Sequence, residues 1–394
     1  MELLSILYQE WLQHENRSQT LESLACALQN ASCDSLPEEP AAVEEILHVM
    51  AALPKRPIPP RPETPVAVIL AGGRGSRMGV NVTQKCLCPI HGRPAILWAM
   101  DAYRNFGIEH FILIVGVGYK EVLQCLGADN PHITYLFQEE QRGTGHAARL
   151  AARYLNYCHF EGNVLVTMGD KFITRRGLQQ LMFNPALAQA DLILASASKE
   201  AWPDSGRVVI DENDRVRAVI ERPDVVQRQL IADFHAWPAD PVPCEAFRKH
   251  ALSCWNRPQK LRKILNPGFW DALNSQDALS KQTVRLPLDQ SNLTFEISNA
   301  LRLSPAEVEK RCDQVNISVY IFKAQAFYQA TERLRSNNAQ GELYLTDAVY
   351  DLTSNHHAAP YHVTAARMPD DYDVMGFNTL EELAEIERRV QHEL

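Results

Sequence analysis

Apolar and polar positions alternate with two different periods along this chain, and the change of period divides it. Before residue 54 the spacing is helical. Leu3, Leu4, Ile6, Leu7 and Trp11 make one stripe, Leu21, Leu24, Ala25 and Leu28 a second, and Val43, Ile46, Leu47 and Met50 a third. Short amphipathic helices are predicted over 1–53. Six of the thirteen residues Leu53 to Pro65 are proline. A chain so poor in N–H donors reads as an extended, semi-rigid linker over 54–65.

From Val66 the pattern becomes strand–helix alternation, which predicts an α/β domain over 66–394. Strands are expected at 66–71, 110–115, 133–137, 163–168, 191–195, 207–210, 215–220 and 315–322. The unbroken apolar runs VAVIL and FILIV predict central strands buried on both faces. Pro94 and Gly107 suit the first and last positions of an intervening helix. Residues 222–313 break the alternation. They hold Trp237, Trp255 and Trp270, a basic run over 257–263 and a capping box at Ser304-Pro305-Ala306-Glu307, and read as a largely helical insertion. The tryptophans are expected to form the insertion's own core, and the basic run a solvated helix face.

Composition narrows the function classes. Of 394 residues, 46% are hydrophobic and 22% charged, as in a folded globular protein. A net charge of −9 gives no electrostatic footprint for nucleic acid or an anionic membrane, so an anionic ligand must be held by a local cluster of donors. The nine cysteines include no C-x-x-C pair; with no second pair to complete a tetrahedral site zinc is not expected, and the odd count argues against a disulfide framework. No signal peptide or membrane span is evident, and a cytoplasmic protein is expected.

The strongest chemical signal is LAGGRGSRMG, Leu70 to Gly79, directly after the first strand. Gly72, Gly73 and Gly75 allow a polyphosphate to approach backbone N–H groups, and Arg74 and Arg77 add charge. The segment is neither G-x-x-x-x-G-K-[ST] nor G-x-G-x-x-G, since Met78 stands at the third glycine position. Lys85 follows, a flexible ammonium within reach of phosphate oxygens. QEEQRGTGHA supplies Gln138, which can donate to and accept from a pyrimidine edge, and Gly143, Thr144 and Gly145 in a tight turn. Met168-Gly169-Asp170 ends a strand, where a carboxylate can hold Mg²⁺ with substrate phosphates. His146 reads as structural, and Cys86 and Cys88 as packing residues.

Glycine-rich turn, lysine, Gln-x-x-x-x-Gly-Thr-Gly-His-Ala and Gly-Asp, in this order, resemble the bacterial N-acetylglucosamine-1-phosphate uridylyltransferases among the sugar nucleotidyltransferases. The resemblance resumes in GRVVIDENDRVRAVIERPD, in QVNISVYIF, in NNAQGELYLTDAV and in MGFNTLEEL, and covers about 66–221 and 314–390. It implies a Rossmann-like mixed sheet, with the N-terminal helices and the 222–313 insertion as additions. It further implies Mg²⁺-dependent, in-line transfer of a nucleotidyl group, UTP being the expected donor and an N-acetylhexosamine 1-phosphate the acceptor. By position, Leu70, Ala71, Gly72, Gly73, Gln138, Gly143 and Thr144 would bind the nucleotide. Gly169, Gly206, Glu221 and Asn316 would bind the sugar. Asp170 and Asn378 would hold the metal, and Arg77, Lys85 and Asp170 would be catalytic.

Gln84 stands where the family commonly has proline, and Lys171-Phe172 where small or apolar residues are usual. The chain ends soon after Asn378, so the β-helix acetyltransferase domain of the bifunctional enzymes is not expected. Two other readings remain open: a cytidylyl- or guanylyltransferase for another phosphorylated acceptor, and a non-catalytic nucleotide-sugar sensor. Self-association or a partner is expected to use 1–53 or 222–313.

Overall fold

The computed structural model describes residues 59–73, 84–127, 130–138, 140–298, 301–354 and 361–390. The three predicted N-terminal stripes and Arg77 lie outside the described residues. Among the described residues no helix is long and apolar enough to cross a membrane. The chain divides into two compact units. One contains the chain up to Gln141, Leu150–Thr174 and the residues from Met375 on; the other contains Arg142–Arg149 and Arg175–Val374.

In the first unit, β1 (Val66–Leu70), β2 (His110–Val115), β3 (Ile133–Phe137) and β4 (Asn163–Met168) form parallel ladders in the order β4-β1-β2-β3. Parallel neighbours cannot be joined by a hairpin, so the β1–β2 connection includes the Ala95–Arg104 helix, with Pro94 as its N-cap. VAVI and FILIV are almost wholly excluded from solvent, as strands covered on both faces must be. The register aligns Leu70 with Met168 and Ile114, and Val115 with Phe137. The loops after β1, β3 and β4 therefore leave from one edge, the carboxyl ends of the strands, where open parallel sheets bind ligands. A second apolar cluster joins Cys88, Ile90, Trp98, Phe172, Met375 and Phe377 to the Leu380–Val390 helix. It carries the end of the chain to the lysine segment.

β5 (Lys171–Ile173) is a short strand that follows Asp170. In the second unit β6 (Leu192–Ser198), β7 (Gly206–Ile210), β8 (Val216–Ile220), β9 (Gln314–Lys323) and β10 (Val363–Arg367) run in the order β8-β7-β9-β6-β10. All of these ladders are antiparallel except β6–β10, so the architecture is mixed, as expected. β5 and β10 have no counterpart among the predicted strands: β5 is three residues long, and VTAAR carries neither strict alternation nor a run of β-branched residues.

The 222–313 segment is helical at Arg222–Ala236, Cys244–Cys254, Pro258–Ile264 and Pro267–Ser275. Trp255 and Trp270 are buried in its own core with Phe234, Phe247 and Phe269, and Trp237 packs against it. The basic run lies outside that core: Arg262 pairs with Asp271 at 2.8 Å and Lys263 with Glu342 at 2.7 Å. Ser304 and Glu307 form the complete capping box of the Pro305–Arg311 helix. That helix and the Phe295–Ser298 and Leu301–Leu303 hairpin pack against β7 and β8 through Val308, Phe295 and Leu303.

Candidate functional site

In the first unit the three loop beginnings are tied to neighbouring strands by backbone bonds: Ala71 N–H to Ile114 O at 2.8 Å, Gln138 N–H to Val115 O at 2.8 Å, and Gly169 N–H to Leu70 O at 3.0 Å. Gly169 is closely packed: a Cβ there would lie 3.0 Å from Cys86 Cβ and 3.3 Å from Ala71 Cα, so these neighbours would have to give way. At Gly72 a Cβ would meet Gln138 Oε1 at 3.4 Å, whereas around Gly73 the space is open. The glycine turn and the proposed base-reading amide are thus adjacent. Gln141, which received no role from the sequence, donates from Nε2 to Gly72 O at 2.6 Å and braces the turn.

Lys85 opens a short 3₁₀ turn, Lys85–Leu87, set by the residue before it. Gln84 is buried and donates its side-chain amide to Val117 O. Gly118, at φ 84°, leaves room for that amide, which a Cβ would strike at 2.3 Å. The glutamine side chain is therefore accommodated by the absence of a Cβ at Gly118. Lys85 Nζ then donates to Asp170 Oδ2 and, at 3.1 Å, to Asn378 Oδ1. It also lies 5.4 Å from the centroid of the Phe377 ring. Asn378 is oriented by its own N–H, which donates to Glu382 Oε2 at the start of the last helix. Residues separated by 85 and by 293 positions converge on one ammonium.

Lys171 brings a second cation to the same place. Burial pulls its ammonium below the ordinary lysine range and Asp170 opposes that shift; Lys85 adds to it and Glu382 opposes it. Burial pushes the Cys86 thiol up to about 12 and raises Cys88, which suits packing residues.

In the second unit, β7 pairs with both β8 and β9, and this places three expected sugar-binding positions together. Asn316 is the ladder partner of Gly206, and a Cβ on Gly206 would lie 3.2 Å from Glu221 Oε1. Asn316 is buried, donating from Nδ2 to Tyr320 OH at 2.7 Å and accepting from Ser318 N–H at 3.1 Å. The bulge at Ser318, φ 62°, brings Tyr320 back within reach of it. Glu221 accepts from Thr346 Oγ1 at 3.0 Å. It borders a cleft of about 1530 Å³ together with Asp224, Asp347, Arg228, Lys263 and Asn292. Both the strands and the 222–313 segment therefore wall this cleft.

Burial pushes the Glu221 carboxyl up to about 7 against the Thr346 hydrogen bond, and Asp224 adds to the rise. Burial, then Asp224 and Glu221, push Asp347 to about 7 as well. Between their ordinary values, 4.5 and 3.8, and about 7, the folded chain holds protons that the unfolded chain has released. Stability is then present at the acidic end of that window and lost as pH rises through it. Glu221→Gln should flatten the profile, raising Tm at pH 8 by about 2–8 °C with little change near pH 5, for a burial penalty of roughly 1–2 kcal/mol. Parallel Tm–pH curves for the two proteins would refute the assignment.

Gly143 and Thr144 serve a second segment. Gly145 N–H donates to Leu343 O at 2.7 Å, Leu343 N–H to Arg142 O at 2.8 Å, and Leu345 N–H to Thr144 Oγ1 at 3.2 Å. Asn338 holds the turn of that segment, accepting from the N–H groups of Gln340 and Glu342, both at 3.2 Å. Sequence reasoning missed Lys171, Gln141, Asp224 and Asp347 as site neighbours. Asp347 lay inside the segment that carried the resemblance, and Asp224 within one helical turn of Glu221, but neither has a local pattern that marks it.

Residues 67–268 match the MobA-like NTP transferase domain, a span of just over half the chain. Among curated proteins, the bifunctional protein GlmU of Geobacillus sp. (strain WCH70) is 26% identical over 323 residues, 82% of this chain and 51% of that protein. GlmU of Staphylococcus haemolyticus (strain JCSC1435) is 34% identical over 164 residues, 41% of this chain and 35% of that protein. The chain thus spans about half, or less, of the length of these relatives. A solved structure of a putative glucose-1-phosphate thymidylyltransferase from Bacillus anthracis superposes with a TM-score of 0.50 at 16% identity, over 82% of this chain and 94% of that one, which is a likeness of fold.

Proposed function

The chain belongs to the MobA-like NTP transferase family, and within it we propose transfer of a nucleotidyl group from UTP to an N-acetylhexosamine 1-phosphate, with release of pyrophosphate. The observation that carries this reading is the convergence of Asp170, Lys85 and Asn378 beside the glycine turn. An acceptor phosphate oxygen attacks the α-phosphorus and the bond to the β-phosphate bridging oxygen breaks. The nucleophile is already anionic at neutral pH, so no general base is needed, and positioning with charge neutralisation does the catalysis.

The donor chemistry fits a hard divalent cation, because Asp170 and Asn378 each present an oxygen to one cationic atom, Lys85 Nζ. These two residues would hold Mg²⁺, which when bound neutralises charge on phosphate oxygens. Lys85 and Arg77 stabilise the departing pyrophosphate. Leu70, Ala71, Gly72 and Gly73 offer backbone to the nucleotide. Gly206, Glu221 and Asn316 hold the acceptor, and the 222–313 segment forms the wall that selects it.

A pyrophosphate-release assay over a matrix of NTPs and sugar 1-phosphates tests the reaction. Turnover with UTP and an N-acetylhexosamine 1-phosphate above all other pairs supports it. A preference for CTP or GTP transfers the assignment to the corresponding relatives, and no turnover with any pair leaves the sensor reading. Gln138 is buried beside Gly72, so Gln138→Ala should mainly erode base discrimination, by about 1–3 kcal/mol or roughly 5- to 150-fold in relative kcat/KM. An unchanged UTP:CTP ratio would remove Gln138 from base selection.

A further inference from the structure

We propose that Asp233, His250 and Cys254, within the helical insertion, form a binding site for a thiophilic divalent cation of the zinc class. None of these three residues belongs to the proposed chemistry. The site's three ligand atoms lie within 4.8 Å of one another. His250 and Cys254 stand four residues apart on the Cys244–Cys254 helix, hence on one face. Asp233 comes from the Arg222–Ala236 helix packed against it. A search for C-x-x-C spacing passes over such a set, because one of its three ligands is supplied by tertiary packing.

The geometry distinguishes a cation site from a nucleophile relay. Asp233 Oδ2 lies 2.7 Å from His250 Nε2, and Cys254 Sγ lies 3.8 Å from the same nitrogen. A thiol–imidazole–carboxylate relay needs the two ring nitrogens to face different partners. Here both partners gather on one nitrogen, as ligands around a shared ion do. Metal–ligand bonds of about 2.0–2.3 Å give tetrahedral edges of roughly 3.3–3.8 Å. The His–Cys separation already meets that value, and the His–Asp contact has to open by only about 0.6 Å.

Supporting contacts aim the ligands. Asp233 Oδ1 accepts from Gln229 Nε2 at 2.7 Å, which orients the carboxylate. The rings of Trp237 and Phe247 lie 5.7 and 6.0 Å from that of His250. Phe234 meets Phe247 edge-on at 5.1 Å, so the two helices are clamped in register below the site. His250 and Asp233 keep 34% and 25% of their side-chain surface, enough for an ion and one water to enter. On binding, the Cys254 S–H proton is released to solvent as the metal–sulfur bond forms; His250 binds neutral through Nε2, and a water completes four-coordination. The Asp233 helix also presents Asp224, Gln227 and Arg228 to the cleft, so the ion would brace one wall of it.

The test uses the full-length protein titrated with Co²⁺, followed by absorption spectroscopy and then Zn²⁺ displacement, with thermal unfolding alongside. One equivalent of Co²⁺ should give intense tetrahedral d–d bands and a thiolate-to-metal charge-transfer band, both removed by Zn²⁺. Cys254→Ser should lose the charge-transfer band, and His250→Ala and Asp233→Asn should weaken binding at least tenfold. Zn²⁺ should raise Tm of the unmodified protein but not of Cys254→Ser. Circular dichroism confirms that each variant is folded, and Asp233→Asn, the most conservative, serves if either of the others is not. Absence of the charge-transfer band in the unmodified protein overturns the proposal, as does its persistence in folded Cys254→Ser.

Discussion

Asp170→Asn should lower kcat for pyrophosphate release by about 100- to 1,000-fold, the usual cost of removing one electrostatic stabiliser from a nucleotidyl-transfer site. The reason is local. Asp170 follows β4, its carboxylate bonds Lys85 Nζ, and Asn378 Oδ1 meets the same ammonium at 3.1 Å. Asparagine keeps the shape and removes the charge that would hold both the ammonium and a divalent cation. Two controls separate chemistry from folding. The pair keeps side-chain exposures of 16% and 19% and is partly screened, so Tm should move by no more than a few degrees. Lys85→Met should also cost about two orders of magnitude, and the double variant should fall well short of the product of the two losses, because each single change already disables the shared contact. A kcat for Asp170→Asn within tenfold of the unmodified protein would remove Asp170 from the chemistry.

Gly143→Ala should lower Tm by roughly 10 °C, the largest stability effect expected of a single methyl group here. Gly143 sits at φ 102°, where an alanine is strained at a cost of about 1–3 kcal/mol. The added Cβ would also stand 2.5 Å from Leu343 O and 3.0 Å from Glu342 Cβ. Relief requires the 342–345 segment to withdraw. That loosens the bonds from Gly145 to Leu343, from Leu343 to Arg142 and from Leu345 to Thr144, each contributing about 1 kcal/mol. Withdrawal also shifts Thr346, the donor to Glu221, so acceptor KM should rise more than NTP KM. A Tm within 2 °C of the unmodified protein would show that the segment adapts without loss.

These two positions show how differently site residues reveal themselves. The position of Asp170 at a strand's carboxyl end was legible because its signal is local: a carboxylate just after an apolar strand in a parallel pattern has one place to be. Gly143 and Thr144 were legible as a glycine turn and acquired a ligand-binding role from the resemblance. Their backbone and hydroxyl contacts to Leu343 and Leu345 join segments about 200 residues apart. Gln84 was a departure without an explanation until Gly118 stood beside it.

Taken alone, the sequence determined the alternation of buried strands and helices, the boundaries of the four parallel strands to within a residue, and the helical character and aromatic core of the 222–313 segment. Each depends on neighbours within a few residues, through hydrogen-bond period, side-chain alternation or backbone freedom. Tertiary structure alone decided which distant groups share a site. The Leu380–Val390 helix, docked on the Phe172 and Cys88 cluster, delivers Asn378 to Lys85. The β7–β9 ladder sets Asn316 beside Gly206, and helix packing joins Asp233 to His250 and Cys254. Burial, which moves Glu221 and Asp347 to about 7, belongs to the same level, because desolvation depends on everything that surrounds a carboxylate and not on the residues next to it in the chain.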